Sequence, residues 1–521
     1  MNTVSDKKSL LKKTLEVGSN TFLSRMLGLT REILLMRYLG VDVLADAFTT
    51  AFMLPNSLRK IFAEGALTAA FVPTLITIYK KEGKDQASSL TTLVFLVFES
   101  ILLVCCFFIM WKAQLIIHLF APGYSPEKVA ATVPLLRILM PFIFFISSSA
   151  LLTGALQSVN HFFIPSFGPV LLNVSYILGI LMCLYGAYPP TYLCWAIIGG
   201  GALQCIMHII TYYRLGFSFT AWNATTITYF MKIIIKFLLC FLSMSVMEAN
   251  FVIDQHFASY LPTGSVTLIK YATSFMGIPL GVFAVAFSTI LLPHFTRLKL
   301  EQPEKLHLYL TESIKLIIWV TIPITLIMMF FSQDIFLTLL ASTSSKFSIH
   351  RVPEAGTILV GFMVGLCFFS LNKIIFSMYY SFHDTFYPII IAIIATIFNG
   401  FTDYFFVGIW GGFGLALATS LSGLIQTILG LFFLCRVHAF AINFKDLGYF
   451  VVKYSIQVIC GLLPFYLLYP YLYSFAESLP YSFFFTQSFG FWIWVAPLVF
   501  IFYGLLYFTR NLFKMNLYFL D

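Results

Sequence analysis

Stretches of 18 or more apolar residues return again and again along this chain, and no other feature constrains its fold as much. A helix needs roughly 20 such residues to cross the hydrocarbon of a bilayer, and a lone segment inside lipid must satisfy its own backbone by being helical. Of 521 residues, 60% are hydrophobic and only 10% charged, and 59 are Phe, which leaves too little polar surface to coat a water-soluble domain. The chain therefore reads as an all-α polytopic membrane protein. Grouping the apolar stretches predicts about 14 transmembrane helices, at roughly 14–40, 44–80, 88–118, 130–158, 163–187, 190–213, 225–258, 264–296, 306–340, 353–382, 386–408, 412–437, 446–472 and 488–512. The loops between them are short, so no sizeable soluble domain hangs from the membrane.

Orientation follows from Lys and Arg counted outside the spans. With the N-terminal tail inside, the cytoplasmic segments hold fifteen, among them Lys7, Lys8, Lys80, Lys84, Arg214, Arg297, Arg436 and Arg510. The opposite side holds four, Lys112, Lys128, Lys346 and Arg351. Both termini are expected in the cytoplasm, and the net charge of +9 is mostly this topological bias, with no nucleic-acid partner implied. Residues 1–13 are basic but lack the apolar core and cleavage site of a signal peptide. Nine Cys and nine His show no metal-ligand spacing, and neither a phosphate-binding G-x-x-x-x-G-K-[ST] loop nor a G-x-S-x-G elbow occurs, so an ATP-driven pump and a hydrolase are both unsupported.

The chain also repeats itself. "LQSVNHFFIP" at 156–165 aligns with "YYSFHDTFYP" at 379–388 at an offset of 223, "GALQCI" at 201–206 with "GLIQTI" at 423–428 at 222, and "ALTAAFVP" at 66–73 with "AFSTILLP" at 286–293 at 220. Three matches in order at nearly one offset predict two homologous six-helix lobes, residues 1–215 and 216–440, followed by two additional helices in 441–521. Six is even, so the lobes should be related by an axis along the membrane normal, with a substrate cleft between them.

Arg25, Arg31, Glu32, Arg37, Asp46, Arg59, Lys60 and Glu64 crowd into the first two spans, where a charge at the bilayer centre costs roughly 2.5 to 3.5 kcal/mol. Snorkelling near a helix end suits Arg37 well and the deeper Arg25, Arg31 and Arg59 less well, and purely structural pairing is the alternative to an anion-binding cavity. Lys60 and Glu64, one turn apart, can neutralise each other, and Arg25 and Glu32 share a face. Arg31 and Arg59 are then left with Asp46 as their one spare acid, which implies a net positive cavity. Arginine suits phosphate because its planar fork donates two parallel bonds. Pro55 and Pro73 bracket the stretch, and Pro-broken helices line cavities.

"FLSRMLGLTREILLMRYLGVDVLADAF", "LPNSLRKIFAEGALTAAFVP", "APGY", "GALQSVNHFFIPSFGPVLLN" and "STILLP" together resemble the MurJ/MviN family of lipid II flippases, within the multidrug/oligosaccharidyl-lipid/polysaccharide exporter superfamily. The resemblance implies a transporter, not an enzyme, that moves undecaprenyl-pyrophosphate-linked peptidoglycan precursor across the bacterial inner membrane by alternating access. It implies no cofactor, and a place beside the cell-wall synthesis machinery. The family's cavity residues carry over as Ser24, Arg25, Arg31, Asp46, Arg59 and Glu64, with the lipid tail along a groove built by the last two spans. In one respect the chain departs from the family. A cavity arginine in a "Y-A-D-R" stretch of the eighth span is replaced by "YATS", with Ser274 in its place; Lys270 stands one turn earlier on the same face, and with Thr267 completes the candidate head-group set.

A second polar set comprises Asp254, Asn399, Asp403 and Thr419. Asn399 and Asp403 share a helix face, and two carboxylates, an amide and a hydroxyl are hard oxygen ligands of the kind a cation prefers. Na⁺ coupling, H⁺ coupling and drive by membrane potential stay open, as does the reading of these acids as merely hydrated or capping groups. The rival function is export of another lipid-linked oligosaccharide or of a drug. The clustered arginines and the two additional spans speak against a cationic drug.

Overall fold

The computed structural model describes residues 3–341, 347–438, 440, 442–513, 515 and 517–519, and the side chains of all of these except 3–15, 63–66, 69, 239, 243, 247 and 341. Among the described residues regular structure is helical throughout, with no strand. By their contacts they form two compact units, Met1–Val266 and Thr267–Asp521.

The first unit begins with α1 (Thr3–Leu39) and α2 (Val43–Leu58), which runs without a break through a π-helical turn, Arg59–Ala66, into α3 (Leu67–Trp111). Asp42 caps α2 by accepting from the Ala45 N–H at 2.8 Å. Inside α3, Gly83 takes φ 84°, a left-handed backbone that glycine tolerates, and divides the helix into two arms. α4 (Ala113–Phe120), α5 (Pro126–Leu139), α6 (Phe142–Ser158), α7 (Phe163–Gly186), α8 (Pro190–Arg214) and α9 (Ala224–Ala258) complete the unit. Ser125 caps α5 with Pro126 in the first helical position, and Asn223 with Thr226 forms a reciprocal cap on α9. The core of this unit joins Leu67, Phe71 and Leu75 of α3 to Leu151 and Leu152 of α6, Tyr212 of α8 and Phe237 of α9.

The second unit holds α10 (Ser265–Pro279) from Thr267 onward, a π-helical turn at Leu280–Val285, α11 (Ala286–Glu301), α12 (Leu306–Phe330), α13 (Ser332–Phe336), α14 (Val352–Ser381), α15 (Phe386–Val437), α16 (Phe444–Ser478), α17 (Ser482–Gln487) and α18 (Phe491–Thr509). Gly411, at φ 57° and ψ −132°, breaks α15 into two arms. Tyr454 and Phe465 of α16 and Phe491 and Phe502 of α18 join the core formed by α11, α12 and α14.

Among the described residues, eleven helices are long and apolar enough to cross a membrane. The kinks at Gly83 and Gly411 divide two of these, and α1 is left out because of its charged residues. Once α2 and the first arm of α3 are read as a single broken crossing, the structure accommodates the fourteen predicted from sequence. The repeat is visible in the helix ends: α6 and α14 stop at Ser158 and Ser381, and α7 and α15 start at Phe163 and Phe386, an offset of 223 in each case. Between each pair of helices sits a left-handed non-glycine residue at the same offset, Asn160 and His383, both at φ 59°. The lobe boundary expected at 215/216 and the contact boundary after Val266 differ by one crossing: α9 packs on α3 and on the first π-helical turn, within the first unit.

Candidate functional site

The first unit brings α1 and α7 together around Arg31. Its Nη1 donates to Asn173 Oδ1 at 2.8 Å and its Nη2 to Glu32 Oε1 at 2.6 Å, while the guanidinium lies 5.0 Å from the ring centre of Tyr176. Asn173 and Tyr176 are three apart on α7, so one helix face holds the plane of the arginine. Asn173 also donates to the carbonyl of Ser24 at 3.1 Å and to its hydroxyl at 3.2 Å. Arg25 is exposed and makes no hydrogen bond or ion pair with any described residue. Ser24 and Arg25 line a cavity of about 480 Å³ with Val17 and Thr21 of α1, Thr153 and Gln157 of α6, and Phe162, Pro165, Ser166 and Pro169 at the start of α7.

The π-helical turn after α2 carries Arg59, Lys60 and Glu64. A π-turn shifts the helix face by the angle of one added residue, and such turns recur at functional sites. Arg59 donates through Nε and Nη2 to Asn56 Oδ1, at 3.2 and 3.0 Å. Lys60 donates to both carboxylate oxygens of Glu248 on α9, at 3.1 and 3.2 Å, and Ser57 reaches the same carboxylate at 3.0 Å. The side chain of Glu64 lies outside the described residues.

Asp46 is fully buried and saturated. It accepts from Lys128 Nζ at 2.9 Å and from the Gly264 N–H at 2.7 Å. Beside it, the hydroxyls of Thr50 and Tyr124 share a hydrogen bond at 2.5 Å, and Gln255 donates to Thr50 at 2.9 Å. Burial and then the neighbouring Asp46 carboxylate push the Tyr124 phenol up, so that it stays a neutral donor.

The charge pairing differs from the sequence reading. Glu32 pairs with its chain neighbour Arg31 and not with Arg25; Lys60 finds Glu248, while the side chain of its expected partner Glu64 lies outside the described residues; and Asp46 pairs with Lys128. The physical reason is shared: a charge in an apolar setting pairs with whichever opposite charge the fold brings within about 3 Å, and two of the three partners come from helices distant in sequence. Lys128, counted from sequence as a loop residue, is buried in the first turn of α5.

In the second unit Thr267 is fully buried and Lys270 exposed. The Lys270 ammonium bonds no described residue, and Ser274 gives its hydroxyl to the Lys270 carbonyl at 2.9 Å. Asn399 and Asp403, both at 0% exposure, are joined by an Asn399 Nδ2 to Asp403 Oδ2 bond of 3.0 Å. Thr419 is half-buried, with its hydroxyl on the Leu415 carbonyl at 3.0 Å. Asp254 is half-buried on α9 and belongs to the first unit, whereas the other three belong to the second.

Sequence reasoning missed Glu248, Asn56, Asn173 and Tyr176. The signal was present for two of them: Glu248 is the one carboxylate in the apolar run "FLSMSVMEANFV", and Asn173 is the polar end of "GPVLLN".

The described residues thus form an all-helical, multi-pass membrane protein with a repeated helix pattern and arginines on its membrane helices. A solved multidrug-resistance MATE family transporter of the MOP superfamily, inward-facing, shares this fold at a TM-score of 0.70, with 14% identity over 82% of this chain and 98% of that one. The structure of a lipid II flippase MurJ, inward closed, superposes with a TM-score of 0.77 and 26% identity over 95% of this chain and 99% of that one. Among curated relatives, the probable lipid II flippase MurJ of Rhizobium tropici is 30% identical over 428 residues, 81% of this chain and 80% of its own. The lipid II flippase MurJ of Burkholderia cenocepacia is 30% identical over 429 residues, 81% of this chain and 83% of its own. The family described as lipid II flippase MurJ matches residues 35–490, and the chain belongs to it.

Proposed function

We infer that this protein flips lipid II, the lipid-linked peptidoglycan precursor, from the inner to the outer leaflet of the bacterial inner membrane. It is a multi-pass transporter and not an enzyme. The observation that carries this reading on the chain's own residues is the cavity of about 480 Å³ in the first unit, where Arg25 stands without a bonded partner beside Ser24. An exposed guanidinium with no bonded partner at a cavity is open to an anion, and a pyrophosphate offers the two parallel acceptors its fork matches.

In detail, Ser24, Arg25, Arg31 and Arg59 hold the pyrophosphate-sugar head group, Glu64 sets the charge balance around them, Asp46 contributes by fixing α2 through its pair with Lys128, and Thr267 and Lys270 supply further contacts. The lipid tail runs along α16 and α18. Both termini are cytoplasmic, and alternating access carries the head group across. Asp254, Asn399, Asp403 and Thr419 answer a coupling cation, Na⁺ before H⁺, with membrane potential as the remaining drive. The chain works beside the cell-wall synthesis machinery that supplies and consumes its substrate. What supports the cation reading is the buried Asn399–Asp403 pair, which places hard oxygen donors inside a crossing helix.

Expression in a strain depleted of its own flippase tests the function. Growth should return, and lipid II accumulated on the cytoplasmic side should clear. Continued accumulation despite normal membrane abundance would refute the proposal.

A further inference from the structure

Glu99 lies in the middle of the second arm of α3 and is 3% exposed. Both of its carboxylate oxygens are buried and bond no described residue. The hydroxyls of Ser147 and Ser148 on α6 stand beside it, short of hydrogen-bond geometry, and they too lack partners. Ser149 is different, since its hydroxyl is bonded to the Phe145 carbonyl at 2.8 Å. The titratable groups that face Glu99 are the thiols of Cys106 on α3 and Cys205 on α8. His208, one turn beyond Cys205, is held by the Gln204 carbonyl at 2.8 Å. No Lys, Arg or His of α5, α6, α8 or α9 forms an ion pair with Glu99 among the described residues.

An ionised carboxylate in that setting has no countercharge among the described residues and only the two serine hydroxyls as donors nearby, and an unpaired charge in an apolar medium is strongly disfavoured. A neutral acid has no such cost, and it gains one O–H donor for either serine hydroxyl. A metal cation is poorly served here. Two carboxylate oxygens and two hydroxyls fall well short of the six to eight oxygen ligands that Ca²⁺ takes, and Mg²⁺ demands near-ideal octahedral geometry.

We propose that Glu99, with Ser147 and Ser148, is a proton-binding site of the first unit, loaded when α3 is packed on α6 and unloaded when water enters that seam. One proton binds the carboxylate on loading and returns to water on unloading. The proposal rests on the transport reading for its purpose but not for its detection, because the site is separate from Arg25 and from the Asn399–Asp403 pair. An ionisable residue inside a crossing helix marks a pathway by default, and this one offers transport a link to pH.

Infrared spectroscopy of the full-chain protein in lipid nanodiscs reads the proton directly. Wild type should show a protonated-carboxyl C=O stretch at neutral pH that Glu99→Gln loses and Ser147→Ala shifts. In vesicles, the pH dependence of lipid II transport by wild type should be flattened in Glu99→Gln, which keeps the shape of the side chain and removes its titration. Should Glu99→Gln accumulate poorly, Glu99→Asp serves in its place, with the band retained at a shifted frequency. The proposal fails if Glu99→Gln leaves the carboxyl band unchanged, if the wild-type band is that of an ionised carboxylate responding to Na⁺, or if the two pH profiles coincide. A chain that shows the Glu99 band yet moves no lipid II at any pH would retain the site and lose the transport reading.

Discussion

Two π-helical turns occupy the same place in the repeat, Arg59–Ala66 ahead of α3 and Leu280–Val285 ahead of α11. Each is flanked by prolines, Pro55 and Pro73 in the first half, Pro279 and Pro293 in the second. The first reads RKIFAEGA and the second LGVFAV, so three charges in one copy face none in the other. Duplication has kept the backbone irregularity and discarded its chemistry on one side. The backbone irregularity is thus shared by both turns, whereas the charge is carried by the first alone. The pattern extends to α5 and α14, where the 223-residue offset sets Lys128 against Arg351. Lys128 is buried on Asp46; Arg351 makes a local pair with Glu354 at 3.1 Å, at side-chain exposures of 27% and 37%.

That last contrast gives the largest expected effect. Lys128→Ala strands the Asp46 carboxylate and should cost about 3–5 kcal/mol of stability, against about 1 kcal/mol or less for Arg351→Ala; thermal unfolding of both variants in one detergent measures it. Adding Asp46→Asn to Lys128→Ala should recover much of the loss. Equal destabilisation by the two single changes would erase the distinction between the halves.

Next in size is the contrast between the π-turns themselves. Arg59→Ala removes a charge-assisted contact of about 1.5–3 kcal/mol, roughly 10- to 100-fold in substrate retention, and growth of a flippase-depleted strain should fail. Leu280→Ala at the corresponding turn should leave growth intact. If both variants grow normally, the charges of the first turn serve structure alone.

Lys270→Ala asks whether the second half has regained a charge. Transport should fall about tenfold, one charge-assisted bond, and Ser274→Arg placed in the Lys270→Ala background should restore it, since the two positions are one turn apart. Normal transport by the single variant would remove Lys270 from the head-group set.

The smallest effect belongs to Asp403→Asn, which should reduce the difference between Na⁺ and K⁺ in thermal stabilisation by a few-fold without weakening lipid II binding. A wild type that behaves identically in both salts at every pH removes Na⁺ from the account.

The crossings and the duplication were legible in the sequence because hydrophobic length and turn residues are local signals. "SVNHFFIP" and "SFHDTFYP" proved to be the same left-handed turn, at Asn160 and His383. The polar residues that build the site were legible as types, through the cost of intramembrane charge. Their pairing was not. Glu32 lies seven residues from Arg25 but adjoins Arg31, and pattern alone gives no reason to prefer a neighbour whose side chain must fold back. Glu248 and Lys128 lie 188 and 82 residues from the partners they meet. Glu99 was passed over altogether, since a single carboxylate in "LVFLVFESILLV" carries no spacing to interpret.

The clamp on Asp46 also has a history in time. Lys128 and the Gly264 N–H, which both donate to it, leave the ribosome long after the carboxylate itself. At roughly 5–20 residues per second, synthesis reaches residue 128 several seconds after residue 46, and residue 264 several seconds later still. Until then the aspartate must wait beside water or lipid head groups, and α2 cannot settle at its final depth. The first unit is therefore completed only by its last residues, so a chain stopped after its sixth crossing would be an unfinished first half, held in the membrane with the Gly264 hydrogen bond to its buried acid still missing.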